Sequence, residues 1–521
     1  MLAGILTIRS ALARACRWNA GRAALIEGDR TITYAAFDDL TRRIAQAYVE
    51  LGIGKSDRIA YLCEATSAHA LAYYAAHHLG AITVNLHYRE TTAHQADLLA
   101  RLAPKAIVYD PEKAEVAAQL RRQFPNLNAI CTGASADPGA LTLADLMTRA
   151  PFAGDIALHE SDPAVIQLSS GSTGVPKALV HSHASVLETW SGGIYMWSGI
   201  AAKDRFLNAF APSFAVWIVH AGAFLNHGAA VVFQSRWDAK AFLAAVERHQ
   251  ITCTALTPTQ WRTVLDANPE AHDLRSLRMA AYLGEKMAPE RLKELTQRVC
   301  GMFCSFYGMS ECLGIGGCVI RSDECIELGK WGSVGKPSLN SDLRVVAPGG
   351  AAADELPPGV VGDIVVRAAS FAQFNWGDDA WRSRVLTEDG WYRTGDRGYV
   401  DQDGYVFLAG RADNLIATGG MKVAAEEIEQ VLETHAAIAA AAVLGVPDPQ
   451  WGERIVALVV ARDPALTAAD LDVWCRTEDR LAGFKRPKQW HFVSSLPSNS
   501  VGKRDRRALA ALVPHDRNFA N

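Results

Sequence analysis

The 521-residue sequence has no apolar run long enough to cross a bilayer; its best candidate, the alanine-rich stretch from His435 to Val446, falls well short of the about 20 residues a spanning helix needs. Met1 to Leu12 lacks the basic start, apolar core and small-residue cleavage pattern of a secretory leader, so none is expected. The ten cysteines have no framework spacing: Cys300 and Cys304 lie four apart, and Cys312, Cys318 and Cys325 follow without a Cys-x-x-Cys pair or matching histidines. That excludes a disulfide scaffold and argues against zinc, leaving reduced thiols and a cytoplasmic setting as the expectation. A net charge of −4 lacks the basic excess of a dedicated nucleic-acid binder. Repeats and low-complexity linkers are also missing. What remains, at 49% hydrophobic and 21% charged residues, is a well-packed chain too long for a single core.

The order of apolar segments suggests its architecture. An amphipathic helix over Thr41 to Leu51 leads into a strand at Arg58 to Leu62. The same rhythm returns at Lys240 to His249 before Ile251 to Leu256, and at Arg291 to Val299 before Met302 to Tyr307. Helix–strand alternation predicts parallel sheets covered by helices. From about Leu328 to Leu408, glycine and proline punctuate short runs such as Leu343–Val346 and Asp363–Arg367, the pattern of a small barrel or sheet. Past Gly410 an α+β tail is expected: helix Glu426 to Leu432, strands Ala441 to Val446 and Ile455 to Val460, helix Ala468 to Arg480.

The densest chemistry lies at Ser169-Ser170-Gly171-Ser172-Thr173-Gly174-Val175-Pro176-Lys177, just after the strand-like Ala164 to Leu168. Four hydroxyls, two glycines and an ammonium in nine residues suit a polyphosphate, because glycine lets backbone N–H groups approach phosphate oxygens. An ordinary surface turn has the same composition, and the Walker spacing Gly-x-x-x-x-Gly-Lys-Ser/Thr is absent. Four further segments carry complementary groups: Ser305–Glu311, with Tyr307, Gly308, Ser310 and Glu311; Tyr392–Asp396, a carboxylate on a turn; Gly410–Asp413, a guanidinium; and Pro497–Lys503, a lysine on a glycine-flexed loop. Each alone is compatible with a turn former or a solvated charge.

Together, and in this order, these segments resemble the adenylate-forming superfamily of acyl- and aryl-CoA synthetases, amino-acid adenylation domains and firefly-type luciferases, from Thr31–Tyr34 and Asp57–Ala60 to Lys503. The resemblance implies an α/β fold: a large N-terminal domain of two helix-covered, mainly parallel sheets plus a small β-barrel (1–412), and a small, mobile α+β C-terminal domain carrying the catalytic lysine (413–521). It implies an AMP-forming acid–CoA ligase using ATP, Mg²⁺ and coenzyme A. A carboxylate attacks the ATP α-phosphate, and a thiol then displaces AMP. By that likeness the Ser169–Lys177 loop closes on the β- and γ-phosphates, Glu311 and Thr173 serve magnesium, and Gly284, Glu285 and Tyr307 form the adenine site. Asp396 and Arg411 take the ribose, and Lys503 bridges carboxylate and nucleotide. Asp413 is the hinge whose rotation brings Gly419, Gly420 and Lys422 to the pantetheine channel. Departures are few: Ala178 for glycine, Ala425 for proline and Asn414 beside the hinge.

Phe214, Trp217, Tyr282 and Met309 are expected either to wall the acid pocket or to pack in the core. As a pocket they would favour an aromatic, alicyclic or short-to-medium-chain acid. Ala215 stands where amino-acid adenylation domains carry an aspartate, which disfavours amino acids. Loading of a carrier protein, or luciferase-like oxygenation of an acyl-adenylate, are the alternatives. The expected partners are a small carboxylic acid and coenzyme A, without nucleic acid or membrane span; a homodimer is left open.

Overall fold

The computed structural model describes residues 6–135, 137, 139–169, 176–284, 287–314, 316–411, 415–418, 421–448, 451–478, 481, 483–498 and 504–513. The chain divides into two compact units, Met1–Leu343 with Val366–Tyr392, and Arg344–Val365 with Arg393–Asn521.

Two large sheets organise the first unit. One runs Arg30–Thr33, Ala23–Glu27, Ala230–Phe233, Arg205–Asn208, Cys253–Leu256, Met279–Tyr282, Phe303–Phe306, Cys318–Arg321 and Ser333–Pro337. Its strands are parallel from Ala23–Glu27 to Phe303–Phe306 and antiparallel at both ends. The other runs Leu141–Thr142, Asn128–Cys131, Ala106–Tyr109, Arg58–Leu62, Ile82–Asn85, Pro163–Ser169, Lys177–Ser182 and Phe374–Asn375, with the first six parallel. The expected pair of mainly parallel sheets is therefore present. Both faces of the second sheet are buried: Ile59 and Tyr61 point into the main core, while Ala60 and Leu62 pack on the opposite side with residues of helices Thr92–Leu102 and Ala114–Gln123. Such two-sided burial is what makes parallel strands read as unbroken apolar runs.

Helix Ser67–Leu79 is buried along nearly its whole length, starts at the Thr66 cap and stops at Gly80, whose positive φ of 68° favours glycine. The helix expected to begin at Thr41 begins seven residues earlier, at Tyr34, because Thr33 accepts a hydrogen bond from the Ala36 N–H, and Tyr34 and Phe37 bury the added stretch of about two turns.

In the second unit, Met421–Ala424, Leu415–Thr418, Gly452–Ala461 and Ile438–Asp448 form a sheet in that order, with Gln489–Phe492 pairing parallel to Gly452–Ala461. Helices Ala425–Leu432 and Ala468–Thr477 share a core with one face; Leu509 and Val513 pack with Ala442, Val456 and Leu458 of the other. No helix among the described residues is long and apolar enough to cross a membrane. All ten cysteines are buried and unbridged.

The first unit also buries five histidines, His69, His77, His181, His183 and His220, and half-buries a sixth, His78. Desolvation lowers His69, His78, His181 and His183 to about 4, His220 to about 3 and His77 well below its usual range. Local geometry reinforces neutrality at two of them, since His183 Nδ1 accepts from the Ile8 N–H at 3.3 Å and His220 Nδ1 accepts from Trp197 Nε1 at 3.3 Å. The unfolded chain protonates these rings near about 6.5, the folded chain only well below that, so unfolding takes up protons in between. Their stabilisation is complete above about pH 6.5 and erodes as pH falls toward 4, by at most about 1.4 kcal/mol per pH unit for each ring. Thermal melts are expected to show a falling midpoint from pH 7 to pH 5; a flat or rising midpoint would contradict this.

Candidate active site

Strands Pro163–Ser169 and Lys177–Ser182 are antiparallel, with Ser169 paired to Lys177, so the hydroxyl-rich segment connects two neighbouring strands. Ser170, Gly171, Ser172, Thr173 and Gly174 lie outside the described residues. At its far end, Lys177 Nζ donates to Glu311 Oε1 at 2.8 Å. The Glu311 side chain is only 9% exposed and that of Lys177 34%, so a buried carboxylate meets a lysine still open to solvent.

Glu311 sits on the single turn Ser310–Cys312 beyond strand Phe303–Phe306. Two ties hold the turn: Ala372 N–H donates to the Glu311 carbonyl at 2.8 Å, and Ser370 Oγ donates to the Cys312 carbonyl at 3.0 Å. His181 Nδ1 lies 3.3 Å from the Ser370 carbonyl. Beneath the turn, Gly314 has φ +83°, and a Cβ there would come within 3.1 Å of Ala215 Cβ. Gln167 fixes the other side by donating to the Ser213 carbonyl at 2.9 Å. The end of strand Pro163–Ser169, the first turn of helix Ala215–Asn226 and the Glu311 turn therefore converge.

Strands Met279–Tyr282 and Phe303–Phe306 are parallel neighbours, with Tyr282 opposite Ser305. Gly284 and Tyr307 thus follow the carboxyl ends of adjacent strands, where α/β sheets bind ligands. Gly284 has φ +88°, and the space into which a Cβ would project is open to 4 Å. Gly317 lies so close to the Tyr307 ring that a Cβ would sit 2.5 Å from it. Gly308, Met309 and Ser310 are half-buried in the same turn, and Glu285 lies outside the described residues.

Phe214 is half-buried, edge-on to His87 at 5.8 Å. Trp217 is fully buried among His69, Tyr73 and Tyr74, at ring separations of 4.8, 4.9 and 6.1 Å, and its indole N–H has no hydrogen-bond partner among the described residues. Tyr282 is 8% exposed, and burial raises its phenol well above the usual value.

In the second unit, Asp396 pairs with Arg411 across strands Tyr392–Val400 and Val406–Arg411. Gly395 just before Asp396 has φ +75°, and Asp396 N–H donates to Thr394 Oγ1 at 3.0 Å. The backbone register therefore places side by side two residues that stand 15 positions apart in the chain. Lys422 lies on strand Met421–Ala424, paired with Ala417. Asp413, Gly419, Gly420 and Lys503 lie outside the described residues.

One feature is not anticipated by the sequence motifs. Asp472, Arg476, Arg486, Lys488 and Trp490 line a groove in the second unit, where Arg476 is paired with Asp472 at 2.6 Å, and Lys488 Nζ stands 5.6 Å from the centre of the Trp451 ring. With Arg476 already paired, Arg486 and Lys488 beside the Trp490 indole leave a modest cationic surface suited to an anionic ligand. Phe484-Lys485-Arg486-Pro487-Lys488 was the available signal, a basic run with an aromatic neighbour.

Two helix-sandwiched parallel sheets with a separate α+β unit make the fold that of an adenylate-forming enzyme. The chain belongs to the AMP-binding enzymes: that family matches residues 12–374, and the AMP-binding enzyme C-terminal domain matches residues 427–503. It is 31% identical over 501 residues to a feruloyl-CoA synthase from Amycolatopsis, covering 94% of this chain and 96% of the relative. An indoleacetate–CoA ligase from Aromatoleum aromaticum is 30% identical, with 93% of each chain covered. Among solved structures, the amide bond synthetase McbA from Marinactinospora thermotolerans aligns with a TM-score of 0.86 at 26% identity, covering 97% of this chain and 99% of that one.

Proposed function

We propose that this protein is an AMP-forming acid–CoA ligase acting on an aromatic carboxylic acid. The observation that carries the reading is the buried Glu311 carboxylate held 2.8 Å from Lys177, at the end of a hydroxyl-rich loop in a chain of the AMP-binding family. In the first step the acid's oxygen bonds to the α-phosphorus of ATP, the α–β bridging bond breaks, and pyrophosphate leaves. In the second step the CoA sulfur bonds to the acyl carbon, the thiol proton is lost, and AMP departs.

On this reading Lys177 neutralises the leaving pyrophosphate, and Asp396 accepts hydrogen bonds from the ribose diol. Lys503 supplies the charge that lets two anions approach in the first step. No cluster of three or more acids, histidines or cysteines fit to hold a metal occurs among the described residues. A single carboxylate plus substrate phosphates is the usual donor set for Mg²⁺, so Glu311 fits that ion, and bound there it would neutralise phosphate charge. Phe214, Tyr282 and Met309 are the proposed pocket side chains, while Trp217, fully buried against His69, Tyr73 and Tyr74, takes the core role instead. The flat rings of Phe214 and Tyr282 favour a ring over a flexible chain, in keeping with the aromatic acids in the names of the feruloyl and indoleacetate enzymes. The mobile C-terminal domain, beginning at 413, is the element proposed to alternate between the two steps.

A panel of aromatic, alicyclic and straight-chain acids, read out by CoA-dependent release of AMP and pyrophosphate, tests the assignment. Aromatic acids are expected to give the highest kcat/KM. Turnover confined to straight chains would remove the aromatic reading, and turnover independent of CoA with every acid would remove the ligase itself.

A further inference from the structure

The second unit ties down the chain immediately after Lys503. Asp505 N–H donates to the Pro497 carbonyl at 3.0 Å, and Ser498 and Arg504 form an antiparallel bridge, so the two ends of the 498–504 segment are neighbours. The Arg504 guanidinium donates to Glu429 Oε2 at 2.6 Å and also to Glu433. Arg506 donates to Glu429 Oε1 at 2.8 Å, to the Val443 carbonyl at 2.6 Å and to Glu426 at 3.2 Å. Between them, Asp505 caps helix Arg506–Ala511, whose Leu509 is buried. Three successive residues are thus fixed to the body of the unit.

Glu429 is the centre of this arrangement. It is 4% exposed, and it accepts from the Val443 N–H at 2.7 Å as well as from both arginines. A buried carboxylate needs compensating partners, but Arg506 and the Val443 amide already supply them. Arg504 is surplus to that need. What its contacts add is a second anchor for the chain at position 504, next in sequence to Lys503.

We propose that Arg504, held by Glu429 and Glu433, is a positioning residue that sets Lys503 for adenylation. This rests on the reading of Lys503 given above. A lysine bridging two reacting anions must be placed to within about 1 Å, and a misplacement of that size can cost about 100-fold in rate. Thioester formation makes no use of Lys503 and should not register the change.

Arg504→Met, Arg504→Lys, Glu433→Gln and Lys503→Ala are compared in the full-length protein. Three readouts are taken: acid-dependent exchange of pyrophosphate into ATP, thioester formation from supplied acyl-adenylate and CoA, and thermal midpoint. Arg504→Met is expected to lose about 10- to 100-fold in exchange, with the thioester step and the midpoint nearly unchanged. Arg504→Lys should restore part of the loss, because an ammonium can reach one carboxylate but not both. Glu433→Gln should show a smaller loss in the same half-reaction while leaving Glu429 untouched. If Lys503→Ala separates the half-reactions and Arg504→Met lowers both equally or neither, the positioning role is overturned. If Lys503→Ala fails to separate them, the reading of Lys503 itself falls.

Discussion

Lys503→Ala is expected to lower acid-dependent pyrophosphate exchange by two to three orders of magnitude, on the scale of removing one preorganised charge from a reacting centre. The same variant should still convert supplied acyl-adenylate and CoA to thioester within a few-fold of the unmodified rate. The asymmetry follows from charge. In the first step a carboxylate must approach an anionic phosphate, and negative charge accumulates in the transition state. A cation there stabilises that state more than the separated reactants, which is the condition for accelerating chemistry. In the second step the acyl carbon is already activated, and AMP leaves with its charge on a phosphate that needs no such bridge. Rapid-quench measurement of each half-reaction decides the matter, and equal losses in both would defeat this division of labour.

Glu311→Gln should be nearly as damaging, with a loss of about 100- to 1,000-fold in adenylation kcat/KM and a marked rise in the Mg²⁺ concentration needed for half-maximal rate. The substitution keeps the shape of a side chain that is 9% exposed while removing its charge. Lys177 is left with solvent access, so the folding cost of losing the pair should stay below about 1 kcal/mol. The reverse change, Lys177→Met, is less informative because it strands a buried carboxylate without its cation. A Glu311→Gln protein with an unaltered Mg²⁺ requirement would exclude the metal role. A protein with a greatly lowered melting point would show instead that the pair chiefly supports the fold.

Much of the architecture was legible because it is locally encoded. Helix-then-strand alternation announced parallel sheets, and helix Ala239–His249 and strand Arg58–Leu62 fall at or within one residue of where the apolar period puts them. The missed opening of Tyr34–Glu50, seven residues or about two turns, depends on burial of Tyr34 and Phe37, which a reading of periodicity from Thr41 does not include. Trp217 marks the limit of such reading. An indole near the start of a helix suits a pocket wall and a core equally well, and only packing against His69, Tyr73 and Tyr74 reveals how deeply it is buried.

By itself the sequence determined the kinds of group available and their order: a hydroxyl-rich loop ending in Lys177, then Glu311, Asp396, Arg411 and Lys503, in a pattern specific enough to name a superfamily. Tertiary structure decided which of them meet. Lys177 and Glu311 are 134 residues apart, and their contact depends on where the Ser310–Cys312 turn is tied down by Ser370 and Ala372. Likewise, nothing in the spacing of Glu429 and Arg504 indicates that they share an ion pair across 75 residues. Local propensity acts over a few residues along the chain, whereas these pairings are set by the register and packing of whole sheets, which no short window of sequence contains.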